Sequence, residues 1–175
     1  ESFVKIGRDN TIREYVTVNS GTAGGESTVI GSNNLLMAYV HVAHNCLIGN
    51  NVIIANAGTL AGHVVIEDFV ILGGLTGVHQ FCRIGKHAII GGCSKVTKDI
   101  VPFAMADGHP ALPMGLNKIG LRRRGFSPER IDRIETAYRI LFRSGLNVSE
   151  ALAKIEETEK SEDVSYMLEF VRRAD

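Results

Sequence analysis

"VAHNCLIGNNVIIANAGTLAGHVVIEDFVILGGLTGVHQFCRIG", residues 42–85, repeats every six residues. Val42, Ile48, Ile54, Leu60, Ile66, Leu72, Val78 and Ile84 mark one phase of that repeat. The phase extends back through Leu36 to Ile30 and on through Ile90 to Val96, twelve aliphatic residues without a break. One position later the residues are mostly small (Gly31, Ala43, Gly49, Ala55, Ala61, Gly73, Gly85, Gly91), and so are those four positions later, from Val40 and Cys46 to Cys82, Ala88 and Ser94. A helix needs a period of 3.6 and a half-buried strand a period of 2, so neither produces this pattern.

A ribbon that spends one short strand and one turn on each hexad does produce it. Three hexads then make a triangular lap of 18 residues, with the aliphatic residue pointing inward at each face. Successive laps stack at the strand spacing of ~4.8 Å. Repetition of this kind defines a solenoid with a long, thin core. Asn50, Asn56, Gly62, Gly74 and Gly92, at the third hexad position, are expected to take the left-handed backbone angles of the turns. Upstream, Ile6, Ile12 and Val18 keep the phase, whereas Gly24 in "NSGTAGGES" breaks it and marks a protruding loop. The chain opens Glu1-Ser2-Phe3 in mid-pattern and without Met, so the natural protein is expected to start earlier.

Lysine and arginine balance aspartate and glutamate at 19 each, and the pI is about 7.2. Neither nucleic acid nor an anionic membrane is an expected partner. No apolar run reaches the ~18 residues of a membrane span, and no basic-then-apolar leader precedes the repeat. Cys46, Cys82 and Cys93 are an odd number without a C-x-x-C pair, which speaks against a disulfide framework and a thiolate zinc site. A reducing, cytoplasmic setting is expected. Cys46 and Cys82 fall in a small-residue column and are expected to be packing residues.

An 18-residue lap makes vertical neighbours of residues 18 apart. His44 then aligns with Gly62 and Gln80, Asn45 with His63, and Ala43 and Ala61 with His79, while His41 ends the preceding hexad. Four of the six histidines fall within residues 41–79, a polar cluster across three laps. His87 and His109 have no such company and are expected to be ordinary. Solvated turn residues would account for the cluster without chemistry. Neutral imidazoles could instead hold zinc, as in solenoid carbonic anhydrases of the gamma class, with His41 and His44 joined by His63 or His79. One imidazole could act as a general base, with the Gly62 N–H stabilising an oxyanion. A passive solenoid used as a flat binding surface is the fourth reading.

The repeat, residues 1–101, stops near Val101-Pro102. Residues 102–126, including "ADGHPALPMGLN", are expected to be connecting loop, and residues 127–175 a helical domain covering the open end of the prism. Ser127-Pro128, Asn147 with Glu150, and Ser161 are expected helix starts. Residues 118–143 carry eight Lys/Arg against three acids and residues 150–169 seven acids against two Lys. Arginines concentrated at that junction suit phosphate or an acidic carrier protein.

With "GSNNLLM", "HVAHNCLIGN", "LAGHV", "GVHQFCRIG", "GGCSKV" and "LRRRGFS", the chain resembles the acyl-carrier-protein–UDP-N-acetylglucosamine O-acyltransferases of lipid A biosynthesis. The lipid A N-acyltransferases acting on UDP-3-O-acylglucosamine share only a similar "AHN" site. The resemblance implies a left-handed parallel β-helix followed by an α-helical bundle, assembled as a homotrimer with sites between subunits. It implies transfer of an R-3-hydroxyacyl group from acyl carrier protein to the 3-hydroxyl of UDP-N-acetylglucosamine, with no metal and no cofactor. His44 matches the catalytic base and Gly62 the oxyanion N–H. His41, Asn45, His63, His79 and Gln80 match residues lining the site. Asn117 and Arg124 match contacts to the nucleotide sugar, and Arg123 one to the carrier protein or its phosphopantetheine arm. Gly92 matches a position where bulk limits acyl length. The family commonly has Asp where this chain has Asn45, which implies a weaker base. An acidic residue common after the Asn117 position is replaced here by Lys118 and Ile119, and several N-terminal laps are absent.

Overall fold

A computed structural model describes residues 1–174. Two-residue strands, one per hexad, arrange into three parallel sheets in which every third strand is a neighbour. From Ser27 to Val96 the register step is 18: Val29 pairs with Leu47, Leu47 with Val65, and Val65 with Arg83. The first lap steps by 24, pairing Phe3 with Ser27, Thr11 with Leu35 and Thr17 with His41. The six extra residues are the loop anticipated around Gly24. The twelve aliphatic residues from Ile30 to Val96 are all buried, each contributing about 1.5–3 kcal/mol through burial. Ile6 and Ile12, with a neighbouring lap on one side only, are exposed.

The turns differ from expectation by one residue. Positive φ falls on the fourth hexad position, at Asn45, Asn51, Ala57, His63, Phe69, Leu75, Phe81, His87 and Cys93, not on the Asn and Gly before them. Left-handed backbone costs a side chain about 1 kcal/mol or more. Stacking offsets it: these N–H groups donate to the carbonyl of the turn below, as from His63 to His44, Phe81 to Gly62 and His87 to Asp68, except that of Asn45, which donates to Thr28 Oγ1. Side chains also lie ring on ring at two of the corners, Phe69 over His87 at 4.8 Å at one and His63 over Phe81 at 4.8 Å at another.

Residues 102–126 are not a connecting loop. Ala104–Gly108 pairs in parallel with Ile89–Ile90, and Ala111–Leu116 returns antiparallel to it. This hairpin extends one sheet, and Ile100 bridges to Ile84 on another. Unpaired strand edges are thus met by more backbone there, not by helices as anticipated. Helix α1 (Lys118–Arg123) follows, capped by Asn117. Helices α2 (Pro128–Arg143), α3 (Val148–Thr158) and α4 (Glu162–Arg172) start at the expected caps Ser127, Asn147 and Ser161. Arg130 of α2 donates to the buried Asp163 of α4, Nη2 to Oδ1, at 2.8 Å. Helix α4 lies against the flank of the solenoid: Arg83 donates to the Phe170 carbonyl at 3.0 Å and Lys86 sits 3.7 Å from the Tyr166 ring centroid.

Candidate active site

One corner of the prism stacks the turns at residues 44–45, 62–63 and 80–81, since His63 N–H donates to the His44 carbonyl and Phe81 N–H to that of Gly62. The half-buried His44 imidazole places Nδ1 3.0 Å from Asn45 Oδ1. Its other nitrogen lies along Gly62: a Cβ on that glycine would come within 2.7 Å of Nε2. The Gly62 N–H has no hydrogen-bond partner among the described residues. At one other corner carboxylates take the equivalent donors, Asp68 that of Asn50 and Glu67 that of Lys86. An imidazole lone pair beside an unclaimed backbone donor can take a proton from one group and hold negative charge on another.

The surroundings are built from the neighbouring laps. His63 presents its ring edge-on to His44 at 5.2 Å. His41 Nδ1 lies 2.7 Å from Thr17 Oγ1, His79 Nδ1 lies 3.1 Å from the Gln80 carbonyl, and His79 and Gln80 are exposed. Among the described residues no three His, Cys, Asp or Glu side chains converge as metal ligands within the chain. Cys46 and Cys82 face inward, and burial pushes both thiols up, Cys82 to about 11, so neither is a ready nucleophile.

Asn117, Arg124 and Gly92 occupy other corners. Asn117 is buried; its amide caps α1 through Gly120 N–H and donates to the His87 carbonyl at 3.0 Å. Arg124 donates to the Phe69 carbonyl at 3.1 Å and covers the Phe69 ring at 4.8 Å, while Arg123 is exposed. Gly92, also exposed, stacks on Gly74 at the remaining corner, where a Cβ would meet the Gly74 carbonyl at 3.3 Å. A single chain therefore joins Asn45 and His63 directly to His44 and stacks the Gln80 turn on Gly62, while His41 and His79 bond to Thr17 and the Gln80 carbonyl; the Asn117–Arg124 and Gly92 groups stand at other corners.

Two residues escaped the sequence reading. His87 is not ordinary: it is buried between Phe69 and Phe103, with Phe126 edge-on at 5.1 Å. Burial, with help from Arg124 and Lys86, lowers its pKa to about 4. The 18-residue step from Phe69 to His87 was its legible signal. The other is Glu26, whose carboxylate accepts from Asn45 Nδ2 at 2.8 Å. Glu26 lies one 18-residue lap before His44, in the same column, but the break in phase at Gly24 hid it.

The three-sheet solenoid with its stacked turns defines a hexapeptide-repeat transferase, and residues 27–61 match the family model described as bacterial transferase hexapeptide. Residues 99–175 match the model of UDP N-acetylglucosamine O-acyltransferase, domain 2. The acyl-[acyl-carrier-protein]–UDP-N-acetylglucosamine O-acyltransferase of Thiobacillus denitrificans is 49% identical, over 98% of this chain and 67% of its own. That of Nautilia profundicola is 53% identical, over 95% and 64%. LpxA from Acinetobacter baumannii superposes with a TM-score of 0.96 at 38% identity, covering 100% of this chain and 69% of that one. The UDP-N-acetylglucosamine acyltransferase from Campylobacter jejuni does so at 0.93 and 46%, over 98% and 68%. The chain belongs to the acyl-[acyl-carrier-protein]–UDP-N-acetylglucosamine O-acyltransferase family. It spans about two thirds of the length of the curated relatives it matches.

Proposed function

We propose that this chain carries the catalytic corner of an enzyme that moves an R-3-hydroxyacyl group from acyl carrier protein to the 3-hydroxyl of UDP-N-acetylglucosamine, the first step of lipid A biosynthesis. The observation that carries the reading is the His44–Gly62 pair: the imidazole lies against Gly62, whose N–H is unclaimed among the described residues. His44 takes the proton of the sugar hydroxyl as its oxygen attacks the thioester carbonyl. The Gly62 N–H meets the developing oxyanion, the carbon–sulfur bond breaks, and His44 returns the proton to the departing thiolate. The carriers named for the relatives support the two substrates. No helix among the described residues is long and apolar enough to cross a membrane. The odd, unpaired cysteines of the chain suit a reducing compartment, and we assign the reaction to the cytoplasm.

The separation of candidate residues over three corners supports a homotrimer. In a threefold assembly the His44 corner of one prism faces another corner of its neighbour, joining groups that one chain keeps apart. Arg123 and Arg124 would then meet the carrier and the nucleotide sugar, and Gly92 the end of the acyl chain.

The test is incubation of the protein with UDP-N-acetylglucosamine and a panel of R-3-hydroxyacyl carrier proteins, with products read by mass. His44→Ala is expected to lower kcat by ~10²–10⁴-fold, and Cys46→Ala to retain transfer. The opposite pattern refutes the assignment.

A further inference from the structure

The loop that interrupts the repeat ends at the proposed base. It is drawn tight: a Cβ on Gly21 would lie 2.6 Å from the Glu26 Cβ, and Gly25 has φ +86°, a value that favours glycine. Glu26 Oε2 accepts from the Ala23 N–H at 2.9 Å, the Thr22 hydroxyl at 3.0 Å and Asn45 Nδ2 at 2.8 Å. These donors, Asn45 foremost, hold the carboxyl well below the usual range, at about 2, so it stays ionised at neutral pH.

A chain of directional constraints follows. A carboxylate can only accept, so the amide nitrogen of Asn45 faces Glu26 and its oxygen faces His44. The Thr22 N–H, donating to Asn45 Oδ1 at 3.2 Å, imposes the same orientation. An amide oxygen also only accepts, so His44 Nδ1 must carry a proton. Nε2, beside Gly62, is left with the lone pair.

We propose that Glu26 is a positioning residue of this site: through the Asn45 amide its carboxylate sets the tautomer of His44 and lends negative charge to the imidazolium. This rests on the reading of His44 as base. No proton moves to Glu26. The proton from the acceptor hydroxyl resides on Nε2 and leaves with the thiol, while Nδ1 keeps its own. An asparagine alone has no charge to offer an imidazolium; an asparagine bonded to a carboxylate relays one, because aligned hydrogen bonds polarise one another.

The test moves the charge by one residue. In the full chain, Glu26→Gln is expected to lower kcat about tenfold, the lower end of what a neighbouring opposite charge contributes, with KM unchanged. Imidazole nitrogen NMR should show His44 losing its preference for the Nδ1–H tautomer. Adding Asn45→Asp to Glu26→Gln returns a carboxylate, now beside Nδ1, and should restore both kcat and the tautomer. Wild-type kcat and tautomer in Glu26→Gln overturn the proposal, as does a double variant that stays impaired, because that marks Glu26 as a loop staple. The NMR reading does not depend on the reaction. Undiminished transfer by His44→Ala would refute the base, whereas an unaltered tautomer in Glu26→Gln refutes only the role of Glu26.

Discussion

His63 and His87 take the same place in their turns, with φ of 60° and 61°, and each stacks on a phenylalanine at 4.8 Å. His63 stands at a corner open to solvent, edge-on to His44. His87 stands at a corner closed by Phe103, Phe126 and Arg124, and is 9% exposed. The repeat makes the two turns alike in backbone. What lies over each turn makes one imidazole available and the other silent. A histidine in a regular array is therefore chemical equipment only where the array is left uncovered and supplied with polar partners.

The largest effect expected from disturbing this contrast is at Gly62. Gly62→Ala places a methyl in the space the His44 ring occupies. If His44 is the proposed base, displacing its ring by about 1 Å should cost roughly 10²-fold in kcat, measured by steady-state transfer, with the melting temperature nearly unchanged. The corresponding turn at the closed corner already carries the side chain of Lys86, so no such sensitivity exists there.

The closed corner should show itself in stability. Folded His87 stays neutral down to about 4, whereas an unfolded imidazole takes its proton near 6.5. More protons are bound in the unfolded state between those values, so stability is full above about pH 6.5 and falls as the pH drops toward 4. The loss should be on the order of 2–3 kcal/mol, and most of it precedes the titration of Glu26, which is held at about 2. Arg124, Lys86, Arg130 and Asp163 also face this imidazole and modulate the slope. Denaturant titrations from pH 7 to 4.5 should lose much of their pH dependence in His87→Phe.

The smallest difference separates two adjacent arginines. Arg124→Ala removes a hydrogen bond to Phe69 and a cation over its ring, and should cost about 1–2 kcal/mol of stability. Arg123→Ala should leave the melting midpoint unchanged and weaken substrate binding in a way that added salt mimics. Equal melting temperatures for the two variants would break the distinction between covered and uncovered residues at this corner.

Much of the candidate site was legible in the sequence. Once 18 residues complete a lap, His44, Gly62 and Gln80 must align, and the turn hydrogen bonds from His63 to His44 and Phe81 to Gly62 show that they do. Helix starts at Ser127, Asn147 and Ser161 were equally readable, because a cap is a local bargain between one side chain and the first free N–H groups. The turn phase was misread because Gly62 and Gly74 suggested positive φ, whereas stacking lets Phe69, Leu75 and His87 adopt it. Residues 104–116 were misread because proline and glycine suggest loop, whereas an open sheet edge supplies partners for a hairpin.

Taken alone, the sequence determined the lap, the inward column and the stack of His44, Gly62 and Gln80. Periodicity propagates: each lap's backbone hydrogen bonds hold the next in register, so a local rule becomes a global one. Only the tertiary structure decided which corner is buried, that Asn117 is consumed as a cap, and that Glu26 reaches Asn45. The first two come from a tail that obeys no period, and the third from the way the loop before Glu26 turns its carboxylate onto Asn45; such contacts exist only once the chain has folded.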